Sequence, residues 1–487
     1  MIYDLLAGLL LLPLIALGLS NLRTHHNVAW ITTLVADGGI LIIGVLVLVQ
    51  HHRGPVMANN VGLDPLAGAL IIVIGIVATL ATAASQPYLT QHLALDPANE
   101  QKRRLYWNLF NLFTVTMIVA AISNNLGITW IAVEATTVTT TFLAGFKRTP
   151  QSLEAAWKYA IICSFGLSVA LLGVVVIYFG ATNAGIVGSQ ALMINVLEHH
   201  ARELNPAILR IGIGLCIVGF GAKAGLVPFH TWLPDAHSQA PGPISAMMSG
   251  VLLSVAASVI LRISELSSVI LGPSFARLLL LCIGILTMAV AAFLIVGQAE
   301  LKRMLAQSSM EQMGLVAVAI AINSELAIAA LILHIVVHGI AKSSAFITAG
   351  QMEEVTGQHR ISAMSGMLRT HPAIARGFLL ALVALLAIPP FGLFWSEAGI
   401  ITAVVAQGYF LWAILVVALL LIASVGLVRA GLALTLTEPR TKPFPSLHKY
   451  ASLPVAIATS LAIIIGLLGS PTTHVISSVA SSIIAKA

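Results

Sequence analysis

Charge is scarce in this sequence: Lys, Arg, Asp and Glu make up 9% of 487 residues, against 58% hydrophobic residues, and the mean hydropathy is +0.99. A soluble globular domain, with about a quarter of its residues charged, is excluded by that balance. Cysteine is sparser still, at three residues. Cys163, Cys216 and Cys282 stand singly inside apolar runs, with no spacing for a disulfide, a zinc site or a cluster, so they read as packing residues. A dinucleotide glycine motif and haem-ligand signature are also missing, which places redox chemistry outside this chain. Acidic residues number 18 against 24 basic ones, a net charge of +6. The basic residues are scattered through many short loops rather than massed, so membrane topology explains them better than a nucleic-acid surface does. No loop is long enough to hold a soluble domain.

What the chain has in abundance is apolar runs of about 20 residues, recurring about fourteen times, which predicts an all-α polytopic membrane protein. The first run, Leu5 to Leu19, lacks a basic flank, Asp4 being acidic, and the runs after it are equally apolar. It reads as the first transmembrane helix rather than as a signal peptide. With that count, Arg23, Lys102-Arg103-Arg104, Lys147-Arg148, Lys302-Arg303, Arg360, Arg369, Arg376, Arg429, Arg440, Lys442 and Lys449 share one side. Arg53, Arg202, Arg210, Arg262, Arg277 and Lys486 take the other. The positive-inside rule makes the crowded side cytoplasmic and puts both termini on the outer, periplasmic side of the inner membrane.

One span carries a lysine and is then interrupted. In Gly219-Phe-Gly-Ala-Lys-Ala-Gly-Leu-Val-Pro-Phe-His-Thr-Trp-Leu-Pro-Asp-Ala-His237, Lys223 costs about 3 kcal/mol at the bilayer centre unless it has water, a partner or a lowered proton affinity. Pro228 and Pro234 break the same span and free backbone carbonyls, which is tolerated only where protein or water lines the site. A second break stands at Pro389-Pro390-Phe-Gly392. Breaks at matching places in two halves point to two inverted five-helix repeats with an ion path at the breaks, the alternative being chance placement of prolines. The chain divides accordingly into N-terminal helices (1–105), a first repeat (106–265), a second repeat (266–430) and a C-terminal segment (431–487).

Glu134, Glu154, Lys158, Lys223, Glu311, His334, His338, Lys342 and Glu397 all fall inside or at the edge of apolar spans, more than structural accident explains. Glu134, in a threonine-rich span, is a switchable partner for Lys223 or else a protonated structural glutamate. Glu154 and Lys158, four apart, form either an ordinary edge pair or a proton inlet. His334, His338 and Lys342 recur every four residues, one stripe of one helix, and imidazoles pass protons between two nitrogens, so the stripe reads as a relay. Glu397 follows the second break and would end the path. Glu311 is placed near a helix start, where a carboxylate also offsets the helix dipole. His230, Asp235 and His237 follow the first break, where they line the cavity rather than complete a metal site.

The segments Lys223-Ala-Gly-Leu-Val-Pro-Phe-His-Thr-Trp-Leu-Pro-Asp-Ala-His-Ser-Gln-Ala-Pro241 and Lys302-Arg-Met-Leu-Ala-Gln-Ser-Ser309 resemble the antiporter-like, proton-translocating subunits of respiratory complex I, Mrp-type cation/proton antiporters and membrane-bound hydrogenases. Glu154 to Tyr159, Ser309 to Gly314 and Pro389 to Glu397 are similar to the hydrogenase-4 component F branch, associated with group 4 [NiFe]-hydrogenase and formate hydrogenlyase complexes. The resemblance implies that Glu134, Lys223 and Glu397 are the charged residues of the proton path. It also implies partner membrane subunits and a peripheral redox arm that holds the [NiFe] centre and iron–sulfur clusters. One departure stands out. Where complex I relatives have a lysine eight residues before an arginine, here Arg262, this chain has Ser254, and transfer between the halves must then use water, His230 or the His334 stripe. Two other functions stay open: a stand-alone or Mrp-type cation/proton antiporter, and a membrane energiser of inorganic-carbon uptake.

Overall fold

In the computed structural model the described residues are 2–21, 27–50, 56–58, 60–93, 97–435, 452–468 and 480–481. Arg23, Arg53, Arg440, Lys442, Lys449 and Lys486, which carry part of the expected charge asymmetry, lie outside them. The first elements are α1 (Ile2–Ser20), α2 (Asn27–Gln50), a hairpin of β1 (Val56–Ala58) and β2 (Val61–Leu63), α3 (Pro65–His92), α4 (Pro97–Ile122), α5 (Leu126–Ala144) and α6 (Pro150–Asn183). A short α7 (Ile194–His199), α8 (Pro206–Lys223), α9 (Trp232–Gln239), α10 (Gly242–Met247), α11 (Leu253–Leu271), α12 (Pro273–Gly297), α13 (Leu301–Ile322) and α14 (Glu325–Thr356) follow. The chain continues through a single turn, α15 (Met367–Thr370), α16 (Pro372–Leu385), α17 (Gly392–Ala406), α18 (Phe410–Thr435) and α19 (Leu453–Leu467).

Among the described residues, 11 helices are long and apolar enough to cross a membrane, or up to 12 if the pair spanning 361–385, bent by 117°, is one crossing. Three further apolar helices are shorter: Asp4–Ser20, Gly392–Ala406 and Leu453–Leu467. The helices begin where polar caps meet prolines. Asp64, Thr149 and Asn205 each accept a hydrogen bond from the first turn of the helix that follows, and each precedes a proline, whose missing N–H costs nothing there.

Both expected breaks are present. The first falls between α8 and α9, where Gly225 has a φ of 76°, a region glycine enters without strain. Pro228 stands in the gap. Pro234 does not interrupt anything: it lies in the first turn of α9, where a proline fits. The second break separates α16 from α17, and α19 covers it closely, since a methyl on Gly466 would come within 1.7 Å of the Pro390 carbonyl oxygen.

Small residues decide which helices touch. A Cβ on Gly219 would lie 2.3 Å from the Ala170 amide nitrogen, and one on Gly173 would lie 2.6 Å from the Gly212 carbonyl oxygen. Thus α6 and α8 meet backbone to backbone, as small residues allow inside membranes. Between α10 and α11, residues Met248–Leu252 form one π turn, and there Gly250 approaches the Gly339 carbonyl on α14. Charged side chains collect at the edges of the bundle. Arg262 pairs with Asp64 at 2.6 Å near the hairpin, while Lys147, Lys302, Arg303 and His359 gather around two polar pockets elsewhere.

Candidate functional site

Lys223 is the last residue of α8 and is fully buried. The last carbonyls of a helix have no intrahelical partner and carry partial negative charge, so an ammonium is favoured there. Its Nζ donates to Thr137 Oγ1 at 2.9 Å and to Tyr159 Oη at 2.5 Å. Tyr159 Oη also shares a hydrogen with Thr140 Oγ1 at 2.5 Å, and its ring packs on Trp232 with centroids 4.8 Å apart. Trp232 Nε1 donates to the Ala222 carbonyl at 2.9 Å, so α9 is folded back over the lysine. The expected Glu134 partner stands one turn from Thr137 on α5, half-buried, and does not form an ion pair with Lys223. Its Oε1 accepts from Ser164 Oγ at 2.7 Å, and its Oε2 is buried without a partner among the described residues. Hydroxyl groups separate the two charges.

In the second half the stripe on α14 is buried from end to end: His334, His338 and Lys342 are 0% exposed. Lys342 Nζ donates to the Leu305 carbonyl at 3.1 Å and to Ser308 Oγ. The two imidazoles stack at 5.6 Å with a 15° tilt, and His334 Nδ1 lies 3.1 Å from Ser396 Oγ. Next to Ser396 is Glu397, whose Oε1 accepts from Gln312 Nε2 at 3.1 Å, and the same amide donates to Glu311 Oε2 at 2.9 Å. Glu311 therefore is not near a helix start. The helix begins at Leu301, which puts Lys302 and Arg303 in its first turn and Glu311 halfway along.

Glu154 and Lys158 are not buried. Their side chains are 64% and 50% exposed, because α6 starts at Pro150 and they occupy its first turns at the edge of the bundle. They line an open polar vestibule of about 550 Å³ with Lys147, Asp235, Gln239, Glu300 and Arg303. Charges alternate around it: Lys158 binds Glu154 at 2.7 Å and Asp235 at 3.4 Å, and Arg303 binds Asp235 at 2.6 Å and Glu300 at 2.9 Å. Lys147, between α5 and α6, has its ammonium pushed down to about 8 by burial and by the neighbouring Lys302 charge. A smaller cavity of about 110 Å³ lies beside it. There Lys302 pairs with Glu353 at 2.6 Å, and His359 with Glu353 at 3.1 Å. Lys158 adjoins Tyr159 in sequence, but Tyr159 is fully buried and does not line the vestibule.

His230 sits half-buried in the first break. Ser254, on α11, is fully buried and its hydroxyl has no partner among the described residues. Sequence reasoning missed Thr137, Tyr159, Ser308, Gln312 and Ser396, which read as filler until the helices are assembled. It also missed Asp37, fully buried on α2 and bound by Thr82 Oγ1 at 2.6 Å, although an acidic residue inside an apolar run was signal enough. Among the described residues no group of three or more His, Cys, Asp or Glu side chains is arranged to hold a metal ion. Cys163 and Cys216 are buried, whereas Cys282 is exposed on α12.

Residues 123–425 match the family described as NADH:quinone oxidoreductase/Mrp antiporter, TM. The hydrogenase-4 component F homolog of Methylacidiphilum infernorum is 31% identical over 446 residues, covering 91% of this chain and 92% of that one. A chain of the membrane-bound sulfane sulfur reductase, an archaeal respiratory membrane complex, superposes with a TM-score of 0.87 at 24% identity, over 98% of this chain and 97% of that one. A chain of the Mrp complex from Dietzia sp. does so with a TM-score of 0.86 at 19% identity, over 99% and 98%.

Proposed function

Because the chain belongs to the NADH:quinone oxidoreductase/Mrp antiporter transmembrane family, we propose that it is the antiporter-like membrane subunit through which an energy-converting oxidoreductase complex, of the hydrogenase-4 or formate hydrogenlyase kind, moves protons. The supporting observation is the buried row Lys342, His338, His334, Ser396 and Glu397, in which His338 stacks on His334 and His334 lies within hydrogen-bond reach of Ser396, while Lys342 is held by Ser308 and the Leu305 carbonyl and Glu397 by Gln312 rather than by tight ion pairs. A cation locked to a carboxylate would hold its proton. One bound by hydroxyls and carbonyls can release it, because those partners remain satisfied by water or by each other.

On this reading protons reach Lys223 from the vestibule past Lys158 and Tyr159, and the charge on Glu134, set by a neighbouring subunit, decides whether Lys223 keeps or releases its proton. Redox groups, a [NiFe] centre and iron–sulfur clusters, belong to a peripheral arm of partner subunits. The side carrying Lys147, Lys302 and Arg303 faces the cytoplasm, and both termini face the other way. Fourteen crossings result when α1, α19 and the broken pair α16–α17 join the 11 long helices, with inverted repeats over 106–265 and 266–430.

The test uses sealed inverted vesicles holding the intact complex, with electron transfer started by its donor and proton uptake followed by a pH-sensitive dye. Replacing Lys223 by Met abolishes uptake while leaving assembly intact. Unchanged uptake in assembled Lys223→Met complex, or uptake that requires Na⁺ and no electron donor, refutes the proposal.

A further inference from the structure

Ser254 leaves the junction of the two halves without a proton-holding group, since a serine hydroxyl stays protonated near neutral pH. His237 stands in a position to supply one. It lies on α9 two residues beyond Asp235, about 200° around the helix from that vestibule carboxylate. It is fully buried and its ring stacks on Phe346 at 4.7 Å with a 22° tilt. Phe346 is one turn of α14 from Lys342. Among the described residues neither ring nitrogen of His237 has a hydrogen-bond partner.

That last fact separates a working histidine from a packing one. A buried polar group without partners costs about 1–3 kcal/mol per group, and a phenyl ring would fill the same stack without that cost. The charges that act on His237 from neighbouring helices are those of Lys342 on α14 and Lys302 on α13. Lys302 also donates to the Ala240 carbonyl at the end of α9, at 3.0 Å. At the other end of α9, Trp232 packs on Tyr159, which binds Lys223. The short helix thus meets Tyr159, which binds Lys223, through Trp232, and Phe346, one turn from Lys342, through His237.

We propose that His237 is the proton carrier between the two halves, a role that rests on the reading that Lys223 and Lys342 exchange protons. The Lys223 ammonium gives up one proton to intervening water and becomes an amine. One nitrogen of the neutral His237 ring takes a proton from that water, the other nitrogen releases its own toward the Lys342 amine, and Lys342 becomes an ammonium. The ring is neutral again as its other tautomer, and a ring flip or a second exchange with water resets it.

The decisive variant is His237→Phe, because it keeps the stack on Phe346 and removes no hydrogen bond. In sealed vesicles of the intact complex, coupled proton uptake falls about tenfold or more, as loss of a positioned acid–base group does, while the amount of assembled complex is unchanged. His237→Gln, which keeps polarity but carries no proton, fails in the same way. A structural role predicts the opposite pattern, with Phe at least as good as His. A second readout needs no electron donor. With ¹⁵N-histidine in the full chain in liposomes, the signals absent from His237→Phe report this ring. Their pH response changes when Lys342 is replaced by Met. Normal uptake by assembled His237→Phe complex alongside failed uptake in Lys223→Met overturns the inference alone. Normal uptake in both overturns the parent reading as well. A His237 signal with the same pH response in both backgrounds also overturns the inference.

Discussion

Replacing Tyr159 by Phe removes a single oxygen from the first site. The ring stays against Trp232, where its centroid lies 4.8 Å away, so packing is conserved. What disappears is the acceptor 2.5 Å from Lys223 Nζ and the link to Thr140. Lys223 is then left with Thr137 Oγ1, at 2.9 Å, as its remaining side-chain acceptor. A hydrogen bond to a charged group contributes about 1.5–3 kcal/mol, and 1.4 kcal/mol is a factor of ten. Roughly a ten- to hundredfold change in how often the proton resides on Lys223 is therefore expected. The assay is dye-detected proton uptake per electron transferred, with Thr137→Val and the double variant measured beside Tyr159→Phe. The two share one ammonium, so their effects are non-additive. Uptake within twofold of wild type in assembled Tyr159→Phe complex would refute the argument that these hydroxyls hold the proton.

Gln312→Leu cuts both links between Glu311 and Glu397, and proton uptake drops about tenfold while helices α13 and α17 remain packed, as judged by cross-linking yield. Lys147→Met raises the melting temperature in detergent at pH 7. The folded lysine titrates at about 8, below its unfolded value, so its burial penalty is complete below pH 8 and shrinks as pH rises toward the unfolded pKa. The Met variant's advantage accordingly fades over that window, and an advantage that grows with pH would contradict it. Gly219→Val places side-chain atoms where the Ala170 backbone lies, 2.3 Å from the first of them, and costs several kcal/mol by overpacking. Size-exclusion chromatography then shows little monodisperse chain.

The parts of the site legible in the sequence were those whose signal is local. Lys223 and Pro228 stand out because each violates the rules of an apolar run, and the spacing of His334, His338 and Lys342 needs nothing beyond helical periodicity. What escaped depends on contacts between distant segments. Gln312 bridges to Glu397 across 85 positions, and Tyr159 binds Lys223 across 64, so neither residue looks unusual where it stands. Glu311 was misplaced for another reason. Hydropathy windows find a span but not its first residue, and a shift of a few positions turns an edge carboxylate into a buried one, or the reverse. Pro234 shows the same weakness, since a proline breaks a helix only if a turn already precedes it.

The glycine seam between α6 and α8 has a mechanical outcome. With main chain resting on main chain, no compliant side chains lie between the two helices to absorb a displacement. A push delivered to the water-facing start of α6 by an adjoining protein is carried inward as by a stiff rod, and it arrives at the ring of Tyr159 and the end of α8 together.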